Sequence, residues 1–173
     1  GAQVNSRNEH DQTPLHQAAR EESVQVAKLL IENGADVNAI VTKKNSGAYV
    51  GLEPFKITSL TYATLFGNKQ VMQLLLEHGA DVANTESFHG GPILHSTNEP
   101  DHAQLLIKHG ADVNGKNNQG MTALHLNIMM GSLSDAFEIV QVLLDHGSDV
   151  NTKENIVGNT PLHDVFSGNH SIE

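Results

Sequence analysis

The sequence contains no cysteine and no tryptophan, and aromatic residues make up only 4% of it. Without cysteine the chain has no disulfides, no thiol nucleophile and no thiolate-ligated zinc site, which fits a reducing compartment. We therefore expect an intracellular location, in the cytoplasm of the producing cell or of a host cell. The low aromatic content is unusual for a domain with one large core. It suits an elongated stack whose thin core consists of Leu, Val and Ala.

Positive charge is also scarce, since 10 Lys and Arg face 20 Asp and Glu and give a net charge of −10. The basic residues do not cluster, whereas nucleic-acid binding requires a basic patch. An anionic membrane surface would repel such a chain. No apolar run approaches the ~20 residues that span a bilayer, so no membrane insertion is expected. The partner class that this charge favours is a protein or peptide with a neutral or basic surface.

One short motif recurs along the chain, a Gly followed by Ala or Ser and then Asp-Val. The copies occupy residues 34–38, 79–82, 110–114 and 147–151, and residues 1–5 are a related fifth copy. Apolar blocks precede the last four, at 29–31, 74–76, 105–107 and 142–144. Further apolar residues stand three positions upstream of most blocks, which is helical spacing. Each block therefore predicts a helix that ends at a glycine, where a left-handed C-cap costs least.

A second motif opens each unit and is best represented by Thr13-Pro14-Leu15-His16. Thr followed by Pro typically starts a helix, because the hydroxyl can cap it and proline suits the first turn. Related versions begin at residues 58, 92, 122 and 160. Each unit is therefore a turn, a short helix, a tight turn and a longer helix. A single unit cannot bury its apolar face, so the units are expected to stack.

These two motifs make the chain similar to the ankyrin repeat family over nearly its whole length. The resemblance implies an all-α ankyrin-repeat solenoid of helix-turn-helix units with β-hairpin fingers. It also implies a concave face, formed by the fingers and first helices, and hydrogen bonds from the motif Thr and His side chains. In the second repeat Thr61 replaces the His and Ala83 replaces the final Asn, so a weaker network is expected there.

The repeats are irregular, and we interpret residues 1–173 as a single domain cut within a repeat at both ends. The approximate repeats are 6–38, 39–83, 84–114, 115–151 and a partial 152–173, with 1–5 as the tail of a preceding repeat. Twelve extra residues fall in the finger between the first two repeats. The third repeat is three residues short, and Pro100 is expected to open its second helix. Four extra residues lie around 131–135.

Catalytic, metal and cofactor sites are not expected. Seven of the eleven histidines belong to the opening motif or precede a C-cap glycine, where a cation suits the helix dipole. The other four lack metal-ligand spacing. The sequence contains no phosphate-binding glycine loop and no nucleophile in an elbow context. We therefore predict neither an enzyme nor a small-molecule substrate.

Three groups of residues are candidates for partner binding, and each has a purely structural alternative. Apolar first-helix residues could be anchors or could simply repack irregular repeats; they are Tyr62, Leu65, Phe66, Leu126, Met129 and Met130. The long finger, Ala39 to Lys56, offers Lys43, Lys44 and Tyr49, although a tolerated insertion explains it equally well. The finger tips could contact a partner or be solvated turns.

We accordingly predict a protein-protein interaction module, a scaffold or adaptor that recognises a partner protein or peptide through its concave face and fingers. The alternative is a substrate-docking or targeting domain of a larger multidomain enzyme or pathogen effector. Family resemblance also implies possible asparagine hydroxylation, for which a Leu should stand eight residues before an Asn that follows Asp-Val. Asn38, Asn114 and Asn151 meet this pattern.

Overall fold

The structure is a computed structural model that describes residues 3–41, 56–87, 90–130 and 136–163. Its secondary structure in those residues is helical, which confirms the all-α prediction. The helices are α1 (Pro14–Arg20), α2 (Val24–Glu32), α3 (Ser59–Leu65), α4 (Lys69–Glu77), a 3₁₀ helix (Ile93–Ser96), α5 (Pro100–Lys108), α6 (Ala123–Met130) and α7 (Phe137–Asp145). An isolated antiparallel bridge joins Val41 and Ile57. Hairpin fingers therefore stay a prediction. We keep the word finger for the segment that connects a second helix to the next first helix.

Helix starts and ends follow the two sequence motifs. Pro14 occupies the first turn of α1, and the backbone N–H of Thr13 donates to Nδ1 of His16 over 3.1 Å. Before α6 the backbone N–H of Thr122 donates in the same way to Nδ1 of His125. Each longer helix is followed by a glycine with a φ between 83° and 93°, at positions 34, 79, 110 and 147. A side chain with a Cβ is strained in that left-handed region, so glycine ends the helix at least cost.

The chain divides into two compact units, of which the first is Gly1–Phe88. In it α1 packs on α2 and α3, and α4 packs on α3 and α2. The core is a narrow stripe of small and branched side chains, which are Leu15, Ala19, Ala27, Leu60, Ala63, Val71, Met72 and Leu75. This thin core agrees with the low aromatic content of the sequence.

The sequence pattern predicts that the leucine four residues before each C-cap glycine (Leu30, Leu75, Leu106 and Leu143) is buried between neighbouring helices, and for Leu30 this prediction is wrong. Leu75 occupies the same position in α4 and is fully buried. Leu30 is half-buried, and its neighbours Val26 and Leu29 on α2 are exposed. The reason is that α2 covers one face of α4, whereas the described residues before α1 contain no helix that would cover the same face of α2.

The second unit is His89–Glu173. Its first helix is reduced to the 3₁₀ helix Ile93–Ser96, because the third repeat is three residues short, and α5 opens at Pro100 as expected. Within this unit α7 packs on α5 and α6, and α6 contacts the 3₁₀ helix. Leu106 and Leu143 are fully buried, as predicted. The four added residues around 131–135 lie outside the described residues.

Candidate interaction surfaces

The histidines of the opening motif hold the ends of neighbouring segments together. Oγ1 of Thr13 lies 2.8 Å from Nδ1 of His16, and residues 122 and 125 repeat the contact at 2.9 Å. The second ring nitrogen also forms a bond in His95, where Nε2 lies 3.1 Å from the carbonyl oxygen of Met121. In His95 and His125 both ring nitrogens are therefore used in structural bonds, which supports the structural interpretation of these two histidines.

Thr61 replaces the histidine in the second repeat but makes the same two kinds of bond. Its hydroxyl accepts from the backbone N–H of Thr58 at 3.2 Å and donates to the carbonyl oxygen of Glu86 at 2.9 Å. The expected weakening is therefore not found at Thr61. A threonine suffices here because the backbone of the following finger comes within reach of its shorter side chain.

His16 lies in an environment that changes its protonation. The side chain is buried, and its Nε2 has no hydrogen-bond partner among the described residues. Burial lowers the pKa of His16 to about 4, although the nearby backbone carbonyls of Ile57 and Ala39 oppose the shift. Desolvation disfavours the charged imidazolium, so the ring is neutral near pH 7. The edge of this neutral ring meets Tyr62 in a T-shaped contact with centroids 5.8 Å apart.

The asparagines that close the first and third repeats tie together the turns of consecutive repeats. Nδ2 of Asn38 donates to the carbonyl oxygen of Gly79 at 3.0 Å, and its Oδ1 accepts from the N–H of Asp81 at 2.8 Å. In the second unit the side chain of Asn114 makes the same pair of bonds, at the same distances, to Gly147 and Asp149. The predicted hydroxylation sites Asn38 and Asn114 thus carry structural bonds.

Histidines that precede the C-cap glycines bond to the last turn of their own helix. Nδ1 of His78 lies 2.8 Å from the carbonyl oxygen of Leu74. The corresponding rings of His109 and His146 bond to the carbonyl four residues earlier over 2.9 and 2.8 Å. Each ring therefore adds a side-chain bond to the last turn of its own helix.

The first candidate surface, in the first unit, is built on a stack of rings and a guanidinium. The rings of Tyr62 and Phe66 are parallel, with centroids 6.4 Å apart. The guanidinium carbon of Arg20 lies 5.8 Å from the centroid of Phe66, within cation–π range. Tyr62 is only 8% exposed, whereas Phe66 is 48% exposed and Leu65 beside it is also exposed. Tyr62 therefore supports this surface from below, and Phe66 and Leu65 present it.

Two glutamines hold Tyr62 in place, Gln12 from the finger before α1 and Gln17 from α1 itself. Nε2 of Gln12 donates to the tyrosine hydroxyl at 2.6 Å, and Gln17 bonds to the amide oxygen of Gln12. These hydrogen bonds fix the position of the Tyr62 ring. The parallel contact between the two rings then fixes the position of Phe66. Arg20 also lies 3.8 Å from the carboxylate of Glu21. The sequence reasoning missed Arg20, because only folding brings the end of α1 beside the end of α3.

The second candidate surface, in the second unit, is the end of α6. Met129 and Met130 are exposed, while Leu126 one turn earlier is half-buried. The helix is apolar on most of its circumference, with the sequence ALHLNIMM. Leu124 and His125 fill the interior, so the methionines lie on the outside. Unbranched thioether side chains adapt to irregular surfaces, which suits a contact with a partner.

Three of the finger turns are each held by one side-chain acceptor. Oδ1 of Asn8 accepts from the N–H groups of residues 10 and 12, both at 2.9 Å. Asn117 does the same for residues 119 and 121. In the last described finger the side-chain acceptor is the carboxylate of Glu154. Hydrogen bonds from backbone N–H groups lower its pKa to about 2, and the N–H of Asn159 contributes most, followed by that of Ile156. The tips of these three fingers are thus ordered turns.

Some of the predicted site residues cannot be placed. Lys43, Lys44 and Tyr49 lie outside the described residues, so the long finger stays a prediction. In the part of the chain that the structure describes, His, Asp and Glu side chains form no group of three that could hold a metal ion. No helix within that part has both the length and the apolar character to cross a membrane.

Comparison with known protein families gives matches along most of the chain. A model described as "Ankyrin repeats (3 copies)" matches residues 93–172. A second model, described as "Ankyrin repeat", matches residues 10–41 and 56–86. The interval between those two matches is the long finger, where the sequence carries its twelve-residue insertion. Helix pairs, closing turns and both family models agree, and the chain belongs to the ankyrin repeat family.

Proposed function

We propose that this chain is a scaffold or adaptor module that binds a partner protein or peptide through the exposed ends of its first helices and through its fingers. Proteins of this family are in general protein-protein interaction modules. In the family the first helices and fingers form the concave face of the stack, and that is where we place the contact. The observation that carries the proposal is the exposed Phe66 ring, held between Tyr62 and Arg20.

An exposed ring in a fixed position suits binding better than a mobile one. Tyr62 is fixed by its hydrogen bond to Gln12 and by its contact with His16, and Phe66 lies parallel to it. The Phe66 side chain therefore loses little conformational entropy when a partner covers it. Binding would bury the apolar surface of Phe66 and Leu65. Buried aromatic anchors of this kind dominate the energy of many interfaces.

The acidic character of the chain favours ligands that carry basic residues at this surface. Glu21 and Glu22 follow Arg20 directly and are exposed. A ligand with basic residues next to its apolar anchor would meet these carboxylates and associate faster at low salt. In the second unit, Met129 and Met130 would provide an adaptable apolar contact.

Other functions are less well supported. The family is in general non-catalytic, and we propose that this chain has no enzymatic activity, cofactor, nucleic-acid partner or small-molecule substrate of its own. The net charge of −10 supports the exclusion of nucleic acid. The lack of cysteine supports a cytoplasmic location.

The proposal is tested by capturing a partner, identifying it by mass spectrometry and measuring its affinity for surface variants. Phe66→Ala should weaken binding by at least ~2 kcal/mol, or about thirtyfold, if Phe66 is an anchor. Met129→Ala should also weaken it. Circular dichroism should show the same helix content in these variants and the parent.

The matched controls are Lys28→Ala on α2 and Gln73→Ala on α4. Both residues are exposed, and each only bonds within its own helix, to Glu32 and Glu77. These variants should bind like the parent. Binding that depends on Lys28 and Gln73 but not on Phe66 and Met129 would place the contact on the second helices and contradict the proposal.

A further inference from the structure

The finger formed by residues 152–160 is closed from both sides by Glu154. The backbone N–H of Glu154 donates to the carbonyl oxygen of Asn159 at 2.9 Å. Its carboxylate accepts from the N–H groups of Val157 at 2.8 Å and Asn159 at 2.9 Å, and also from Ile156. The side chain is buried beneath the turn. A carboxylate that accepts several backbone N–H groups fixes the loop in one conformation.

The longer glutamate arm accommodates a longer tip. Asn8 and Asn117 each stand five residues before the threonine that opens the next helix, whereas Glu154 stands six residues before Thr160. The extra residue widens the turn, and the extra methylene of Glu154 lets its oxygens reach the N–H groups within it. This finger therefore differs in shape from the two described fingers that an asparagine holds.

The tip of this finger is aliphatic. Ile156 is 67% exposed and Val157 is 78% exposed. In the preceding finger, the corresponding tip residues Asn118 and Gln119 are polar. Asn118 and Gln119 are exposed even though the neighbouring finger packs beside them. The N–H of Asn155 in that finger donates to the carbonyl oxygen of Gln119 at 2.8 Å. Exposure is therefore a property of the tip position, and an adjoining finger would not bury Ile156 and Val157.

Two lysines flank this aliphatic tip. Lys153 precedes Glu154 directly, and Lys116 lies in the adjoining finger, just before Asn117. Both are exposed, and neither forms an ion pair within the described residues. Arg7, Arg20 and Lys28, in contrast, each lie within 4.0 Å of a carboxylate. The carboxylate of Glu154 is directed at backbone N–H groups rather than at either lysine.

We propose that the Ile156–Val157 tip and its two lysines form a second interaction surface, which takes an acidic, apolar segment of a partner protein. Two branched aliphatic side chains on a preorganised turn fit between apolar side chains, and Lys116 and Lys153 pair with carboxylates beside them. This proposal rests on the proposed function, which includes contacts through the fingers. It uses residues other than Phe66 and the opposite ligand charge, so the Phe66 contact and this contact can fail separately.

The test selects binders to the intact chain from a random-peptide library displayed on phage. Enriched peptides should combine aliphatic or aromatic residues with Asp and Glu. A synthetic peptide of the enriched sequence should lose about tenfold or more in affinity for the double variant Ile156→Ser, Val157→Ser. The double variant Lys116→Glu, Lys153→Glu should bind it several-fold more weakly, and added salt should weaken its binding to the parent.

The matched control is Asn118→Ser, Gln119→Ser, which changes the tip of the neighbouring finger to the same residues. It should bind the peptide like the parent, and so should Phe66→Ala. Circular dichroism establishes that each variant is folded. Enriched peptides without carboxylates, equal binding to the Ile156→Ser, Val157→Ser variant, or no enrichment at all would overturn the proposal. Peptides that are basic and depend on Phe66 would support the proposed function alone.

Discussion

Protonation of His16 should make the first unit markedly less stable as the pH falls below neutrality. The pKa of His16 is lowered from the ordinary value of 6.5 to about 4. The unfolded chain therefore binds this proton at a higher pH than the folded chain does. Stability from the buried neutral ring is present above pH 6.5, declines as the pH falls from 6.5 towards 4, and is absent below about 4.

The magnitude follows from the two pKa values. A difference of about 2.5, at about 1.4 kcal/mol for each pKa unit, corresponds to about 3 kcal/mol between the limits. The linkage relation places about 2 kcal/mol of this loss between pH 7 and pH 5. With a urea m-value of about 1–3 kcal/mol per molar, the unfolding midpoint should fall by roughly 1 M over that interval.

Tyrosine fluorescence provides an assay local to the first unit. The chain has no Trp and two Tyr, so in a Tyr49→Phe background Tyr62 is the remaining fluorophore. Tyr62 contacts His16 directly. Urea unfolding of this background and of the same background with His16→Gln would be compared at pH 7 and pH 5. Glutamine keeps an acceptor for the N–H of Thr13 but does not titrate.

The decisive quantity is the difference between the two pH dependences, because the other titrating groups contribute to both proteins. We expect the protein with His16 to lose about 2 kcal/mol more than the His16→Gln variant between pH 7 and pH 5. An NMR titration of the His16 ring would give its pKa directly. Equal losses in the two proteins, or a measured pKa near 6.5, would refute the argument that burial keeps this ring neutral.

Two further predictions concern packing and modification. Leu75→Ala should lower the unfolding free energy by about 2–5 kcal/mol because Leu75 is fully buried. Leu30→Ala should lower it clearly less because Leu30 is half-buried. Equal losses in urea unfolding would contradict the packing described for α2 and α4. Incubation with an asparaginyl hydroxylase should add one oxygen to Asn38, Asn114 and Asn151 but not to Asn84. Asn38 should be modified first, because its upstream Leu30 is more accessible than the corresponding Leu106 and Leu143. A digest without this mass gain would exclude the modification.

The sequence alone determined the features that depend on short-range spacing. The recurring Gly-Ala-Asp-Val and Thr-Pro-Leu-His motifs located the helix ends, because a left-handed glycine and a capped, proline-started turn act within a few residues. Pro100 was correctly predicted to open α5, and the short third repeat was found from spacing. Structural roles for the motif histidines were also predictable, since the positions of the rings follow from the helix register.

Only the tertiary structure decided which side chains reach the surface. Tyr62 and Phe66 are one helical turn apart and look alike in sequence, yet the first is buried against His16 and Gln12 while the second is exposed beneath Arg20. Leu30 and Leu75 share a motif position but not an environment, because burial depends on whether a neighbouring helix covers the face. Glu154 looked like one residue of a solvated turn, and folding directs its carboxylate at the backbone N–H groups that hold Ile156 and Val157 at the tip. Local spacing fixes a helix and its faces, whereas exposure is set by contacts with residues far away along the chain.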